Sequence, residues 1–166
     1  MEYKKINIDD LIFFRRLLGD SCVFSNKEKL FEFSHDETED LSFLPDIVLK
    51  PKMTDQVSQV LSYCNKHIIA VTPIGGKTGL SGGCLPIKGG VALSMEYFNS
   101  IIEIDEKNLQ ATVEPGVINQ IFRDAVEDKG LFYPPDPASK GSCQLGGNLA
   151  ENAGGPKALK YGVTKD

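Results

Sequence analysis

Two stretches of this chain place small and hydroxyl-bearing residues where backbone must come close to something else. The first is Thr72-Pro73-Ile74-Gly75-Gly76-Lys77-Thr78-Gly79-Leu80-Ser81-Gly82-Gly83. The second begins with Leu131-Phe132-Tyr133-Pro134-Pro135-Asp136-Pro137-Ala138-Ser139. It continues through Lys140-Gly141-Ser142-Cys143-Gln144-Leu145-Gly146-Gly147-Asn148-Leu149-Ala150-Glu151-Asn152-Ala153-Gly154-Gly155 to Tyr161-Gly162. Most of the 16 glycines fall in these two regions, so the chemistry is concentrated there. A run of glycines and small residues presents successive main-chain N–H groups, a nest that holds phosphate without any cationic side chain. Gly75, Gly76 and Gly79 permit an approach that a Cβ would block, and Thr78 and Ser81 add hydroxyl donors.

Three phosphate-loop readings compete for the first stretch. Gly76-Lys77-Thr78 suggests a nucleotide-hydrolase loop, but that motif needs a glycine five positions before its second glycine, and position 71 is Val. The G-x-G-x-x-G spacing of classical dinucleotide folds occurs nowhere in the chain. What remains is a different dinucleotide loop in which main-chain amides grip a diphosphate, or a flexible surface loop that binds nothing; a strand before it and a second glycine-rich cluster favour the first. The second stretch fits the rest of such a ligand. Its prolines stiffen a wall, while Ser142, Asn148 and the Gly146-Gly147 backbone offer fixed polar groups to the edge of a flat ring such as isoalloxazine. For Phe132 and Tyr133, core packing and contact with such a ring both stay open.

The elements that must position these loops are legible from periodicity. Ile8, Leu11, Ile12 and Leu18, closed by Gly19, predict a short helix. Ser34–Ser42 reads as a polar loop, its His35-Asp36 pair solvated. Asp46–Lys50 is a strand, Thr54 is the N-cap of a helix with Val57, Val60, Leu61 and Cys64 on one face, and Ile68–Thr72 is a buried strand. Together they make a parallel βαβ unit. Residues 74–89 are loop and Val91–Met95 a third strand. Alternation about Glu106-Lys107-Asn108 then predicts an antiparallel hairpin, followed by a helix over Val117–Lys129 ended by Gly130. The fold class is therefore α+β (α/β). A lead-in spans 1–44, a small parallel lobe 45–98, and an incomplete mixed or antiparallel lobe 99–166. One hairpin and one helix leave too little sheet to cover a core, which predicts a piece of a larger domain prone to self-association.

The 166 residues carry a net charge of −5, which argues against nucleic acid or an anionic membrane surface as partner. No apolar run approaches the roughly 20 residues of a membrane-spanning helix. Four scattered cysteines, with no metal-like spacing and no leader sequence, set a cytoplasmic expectation. No residue is nominated as catalytic or as a metal ligand; His67 sits at a helix end, where the terminal carbonyls account for it.

The two glycine-rich stretches in this order resemble the FAD-linked oxidases of the vanillyl-alcohol-oxidase and p-cresol-methylhydroxylase type. The branch they resemble most holds the FAD subunit of glycolate oxidase, D-lactate dehydrogenase (cytochrome) and D-2-hydroxyglutarate dehydrogenase. The likeness runs from about Pro45 to Asp166. It implies FAD extended between two lobes, with its pyrophosphate on Ile74, Gly75, Gly76, Lys77, Thr78, Gly79, Leu80 and Ser81. The flavin and ribityl portion would be lined by Pro135, Asp136, Ser139, Ser142, Gly146, Gly147, Asn148, Gly154, Tyr161 and Gly162. Members of the branch pass hydride from a 2-hydroxy acid to flavin, then electrons to an acceptor. The resemblance therefore implies a small 2-hydroxy acid and an electron acceptor as partners of the full-length protein, which would be cytoplasmic or at most peripheral to the inner membrane. Relatives that tether flavin through this loop carry histidine where Lys77 stands, so FAD is expected to be non-covalent. Many relatives have arginine at the place of Ile74, which shifts the work to the backbone. The substrate domain and metal-ligand histidines lie beyond the matched region, so this chain alone is expected to be inactive. The alternatives are a non-catalytic FAD or nucleotide module, or half a site completed by a partner.

Overall fold

Asn7 and Asp10 start the first helix by satisfying each other's main chain. The Asp10 N–H donates to Asn7 Oδ1 at 3.0 Å, and the Asn7 N–H donates to Asp10 Oδ2 at 2.9 Å. The helix that follows, α1 (Ile8–Leu18), buries Phe14 and Leu18 and stops at Gly19, whose φ of 83° is costly for a side-chain-bearing residue. In the computed structural model, which describes residues 2–165, the chain divides into two compact units, Met1–Tyr97 and Phe98–Asp166. Residues 1–44 lie in the first of these, where α1 supplies part of the core.

The first unit is built on a four-stranded sheet in the order β1-β2-β4-β3: β1 (Val23–Phe24), β2 (Ile47–Leu49), β3 (Val71–Ile74) and β4 (Val91–Ser94). β1 runs antiparallel to β2, and β2, β4 and β3 are parallel. The predicted βαβ unit is present, but β4 inserts between its two strands, so the strands are parallel without being paired. Alternate residues serve two cores. Ile47, Leu49, Val91 and Leu93 pack with Phe14, Leu18, Val60 and Cys64, while Val48, Ile74 and Ala92 pack with Phe33 on the opposite face.

Between the strands, α3 (Thr54–His67) differs from expectation at both ends. Its N-cap is Met53, not Thr54, because the Gln56 side chain reaches back to accept from the N–H groups of Lys52 (2.8 Å) and Met53 (3.2 Å). Its inner face is Val57, Val60, Tyr63 and Cys64, with Leu61 exposed. The strand after it begins at Val71, three residues late, because Ile68 turns to φ 56° to end the helix and the Ile69 N–H returns to the Cys64 carbonyl at 2.9 Å.

Asp10 is fully buried and joins α1 to α3. It accepts from Lys4 Nζ (2.7 Å) and the Tyr63 hydroxyl (2.8 Å) as well as the Asn7 N–H. Burial raises its pKa, but the Lys4, Asn7 and Tyr63 hydrogen bonds together outweigh burial and hold it below the ordinary carboxylate value. Because the folded pKa is depressed, this contribution is present above the unfolded-state value near 3.8 and is lost as pH falls through the lower folded value. Denaturant midpoints measured from pH 6 to pH 2 should decline on that acid limb, and Asp10→Asn should be destabilised at pH 6 with a flatter limb. An unchanged acid limb in that variant would remove Asp10 as its source.

The second unit pairs β5 (Ile101–Asp105) with β6 (Gln110–Val113) in the predicted antiparallel hairpin. Asp105 Oδ1 holds the turn by accepting from the Lys107 and Asn108 N–H groups. Three helices follow: α4 (Asn119–Glu127), α5 (Leu145–Glu151) and α6 (Ala158–Tyr161). α4 begins two residues later than predicted because Ile118 is extended and Val117 lies outside the helix. Ile118 bridges Gln144, and the Val117 carbonyl accepts the Leu145 N–H. Val117, Phe122, Val126 and Leu145 form the core, with Tyr133, Leu131 and the inner hairpin face against it. Ile121 is exposed. The architecture is mixed α+β, as the sequence predicts.

Candidate functional site in two glycine-rich segments

The first candidate segment leaves β3 at its carboxyl end, the edge of a parallel sheet where ligands of open α/β folds bind. Ile74 is the last residue of the strand. Its side chain is buried in the core with Phe33, Val48 and Ala92, and its carbonyl accepts the Met95 N–H at 3.1 Å. Only its backbone is available to a ligand. From Gly75 through Leu80 the chain is neither helix nor strand, and among the described residues no main-chain N–H of these six donates to a protein acceptor. Main-chain donors are obligatory hydrogen-bonding groups, so this row answers to water or a ligand. Lys77 turns the loop with φ 56°. Thr78 is half-buried and Leu80 exposed; Gly79 has open space where a Cβ would stand. The Lys77 ammonium, offered by the sequence to the phosphates, instead donates to the Glu32 carbonyl and lies 4.9 Å from the Phe33 ring centroid.

The second candidate segment is more structured than its glycines predict. Gly146, Gly147 and Asn148 lie in the first turns of α5. Gly146 is required by packing. An added Cβ would sit 2.6 Å from Pro115 Cβ, and its N–H already donates to the Pro115 carbonyl at 2.8 Å. Gly147 meets nothing within 4 Å and has no such internal reason. Asn148 is buried and its Nδ2 donates to Asn119 Oδ1 at 3.1 Å, while Asn119 Nδ2 donates to the Pro135 carbonyl at 3.3 Å. Asn119, wholly buried, thus ties α4, the proline segment and α5 together. Sequence reasoning missed it, because one asparagine at the start of an amphipathic helix carries no signal of long-range pairing.

Asp136 is an electrostatic hub. Arg123 and Lys140 (3.1 Å) pair with one of its oxygens and Lys157 (3.5 Å) with the other. Burial raises its pKa, but Lys140, Arg123 and Lys157 bring it below the ordinary value. With three cations on it, the carboxylate shapes the segment, while Gly155, whose missing side chain lets the chain cross the Asp136 carbonyl, closes the loop over it. The Ser139 carbonyl accepts from the Ser142 N–H (2.8 Å) and the Ser142 hydroxyl (3.2 Å), making a tight turn. Gly154 lies against Val163, and Gly162 caps α6 with φ 81°. Tyr133, partly buried, packs edge-to-face on Phe122 against the core. Phe132 and Tyr161 instead form an exposed pair 5.3 Å apart, with Lys157 over the Phe132 ring. Gln144 Oε1, at the start of α5, is buried with no hydrogen-bond partner among the described residues. Among the described residues no group of three or more His, Cys, Asp or Glu is placed to hold a metal, and no helix is long and apolar enough to cross a membrane.

A family model described as FAD binding domain matches residues 45–166, which takes in both segments. The chain belongs to the FAD-binding domain family. Its relatives include glycolate oxidase subunit GlcD of Bacillus subtilis (strain 168), 48% identical over 134 residues, covering 81% of this chain and 28% of the relative. D-2-hydroxyglutarate dehydrogenase of Stutzerimonas stutzeri (strain A1501) is 37% identical over 159 residues, 96% of this chain and 34% of that protein. D-lactate dehydrogenase of Anaerostipes hadrus is 42% identical, covering 81% and 28% respectively. This FAD-binding domain therefore spans about a third of such relatives or less. Among solved structures, alkyldihydroxyacetonephosphate synthase superposes with a TM-score of 0.87 at 18% identity, over all of this chain and 32% of that one. p-Cresol methylhydroxylase gives 0.76 at 24% identity, over 92% and 31%. At such identities these two neighbours establish the fold.

The residues present fit FAD on a structural ground. The cofactor's diphosphate is an acceptor-rich anion, and the loop offers six main-chain donors with no internal acceptor among the described residues.

Proposed function

We propose that this chain is the FAD-binding portion of a flavin-dependent 2-hydroxy-acid dehydrogenase, its substrate of the glycolate, D-lactate or D-2-hydroxyglutarate type. The observation that carries the cofactor assignment is the row of unpartnered amides from Gly75 to Leu80 at the carboxyl edge of the parallel sheet. The hydroxy-acid assignment rests on the names of the relatives, as does an electron acceptor; GlcD, a subunit by name, supports further protein partners. The diphosphate is held by the Gly75–Leu80 backbone, with hydroxyl help from Thr78. The flavin and ribityl chain rest on Pro135, Ser139, Ser142, Gly146, Gly147, Asn148, Gly154 and the Tyr161-Gly162 corner. FAD supplies hydride acceptance; the chain binds and orients it. Retention is non-covalent, since Lys77 occupies the tethering position and its amine is engaged by Glu32.

FAD retention tests this reading. Protein incubated with FAD and freed of excess should stay yellow, and acid precipitation should leave the colour in the supernatant. Two substitutions sharpen the test. Gly79→Ala introduces a Cβ with no atom within 4 Å, so the unfolding midpoint should not move while FAD binds about tenfold more weakly. Gly147→Ala should stabilise the chain by roughly 0.5–1 kcal/mol, because glycine inside a helix is costly, and yet weaken FAD. Full-strength FAD binding by both variants would refute the assigned contacts.

A further inference from the structure

The phosphate loop does not hang free between its strands; a segment ahead of the matched family region grips it at two points. The Lys77 ammonium donates to the Glu32 carbonyl, at the last residue of α2 (Lys27–Glu32), where a helix leaves carbonyls without internal partners and favours a cation. The same ammonium lies over Phe33, a buried residue packed with Val48, Ile74 and Ala92. Five residues later, the Gly82 N–H donates to Thr38 Oγ1 at 2.8 Å. Thr38 is itself fixed, its N–H donating to Asp36 Oδ1 at 2.9 Å. The other Asp36 oxygen accepts from the Cys84 thiol at 3.5 Å. Burial pushes that thiol up to about 11, with Asp36 adding to the effect, so it stays protonated as a donor.

We infer that residues 32–38 are a clamp that pre-forms the diphosphate-binding loop, with Lys77 and Thr38 as its positioning residues. The inference rests on the proposed FAD site. Between the two grips lie Thr78, Gly79, Leu80 and Ser81, and the grips use the Lys77 and Thr38 side chains, the Glu32 carbonyl and the Gly82 N–H, none of them an amide of Gly75–Leu80. Those amides are therefore held in shape without being consumed. A loop ordered before binding loses less conformational freedom when the ligand arrives, which appears directly in affinity. Lys77 thus acts at a distance from the phosphates through the backbone it fixes, and the arginine that Ile74 replaces has no need of a direct substitute.

The test is a fluorescence titration with FAD, repeated calorimetrically with ADP, on the whole chain and on Lys77→Met, Lys77→Arg, Thr38→Val and Thr38→Ser. Urea midpoints are measured on each protein without ligand. Lys77→Met and Thr38→Val should each weaken both ligands about tenfold with midpoints unchanged. Lys77→Arg and Thr38→Ser, which keep a donor and a hydroxyl, should restore most of the affinity. Wild-type affinity in Lys77→Met and Thr38→Val would overturn the clamp while leaving the FAD site standing. Loss in Lys77→Met alone would also overturn it, since a direct phosphate contact explains that result. A loss matched by a fallen midpoint and unrescued by the conservative variants would reduce both residues to general stability. Wild-type protein that binds neither ligand would sink the FAD site and the clamp together.

Discussion

Gly90→Ala should prevent the first unit from holding its native sheet. Gly90 has φ 70° and immediately precedes β4, where an added Cβ would overlap the Ala70 carbonyl oxygen and lie 3.1 Å from Ala70 Cβ. Neither side can retreat. The Ala70 carbonyl accepts the Val91 N–H at 2.8 Å. The Gly90 carbonyl accepts from Asp46 (2.8 Å) and Ile47 (3.2 Å), and its N–H donates to Asp46 Oδ2 at 3.2 Å. One methyl group thus opposes the junction of all three parallel strands, on top of the left-handed strain of a non-glycine residue. The expected loss is about 3 kcal/mol or more, a large part of the stability of a unit this size. Chemical denaturation followed by circular dichroism reads it directly. A midpoint within error of wild type would show that this crossing is loose. FAD binding should vanish with the fold, in contrast to Gly79→Ala, where binding falls and the fold stays.

The second large effect is expected at Asn119. Replacement by leucine leaves the Asn148 amide and the Pro135 carbonyl without their partner inside a packed region, each an unsatisfied buried polar group. A cost of about 2–4 kcal/mol follows, confined to Phe98–Asp166. Amide hydrogen exchange should show lost protection in α5 while β2 and β4 stay protected. Equal loss in both units, or none in α5, would contradict the local role. Because α5 carries Gly147, FAD affinity should fall as well.

The strands, the hairpin and the amphipathic helices are legible in the sequence because each announces itself through local periodicity. Ile8–Leu18 matches to the residue in extent, with Gly19 ending it as expected, although Ile8 and Ile12 of the expected stripe are exposed and Phe14 is buried in their place. What periodicity cannot supply is pairing order: nothing local says that β4 inserts between β2 and β3. Helix ends slipped where a side chain elsewhere intervened, as Gln56 did at Met53 and Ile68 did at φ 56°. The two candidate segments were visible as glycine clusters, but their glycines proved to have different causes. Gly146 accommodates Pro115 and Gly155 the Asp136 carbonyl, while Gly79, Gly141 and Gly147 have no atom within 4 Å of where a Cβ would stand. Composition cannot distinguish these cases, because a glycine that packs and a glycine that makes room for a ligand are the same letter. The partners of Asp136 and Lys77 were equally hidden, being set by residues 13 to 45 positions away or by a short turn.

An amide-resolved NMR titration of the isotope-labelled chain with FAD most directly tests whether backbone donors hold the diphosphate. The amide signals of Gly75, Gly76, Lys77, Thr78, Gly79 and Leu80 should move together and saturably, and ADP should reproduce those shifts without the ones in residues 142–162. FAD that binds while these six amides stay still would contradict the account.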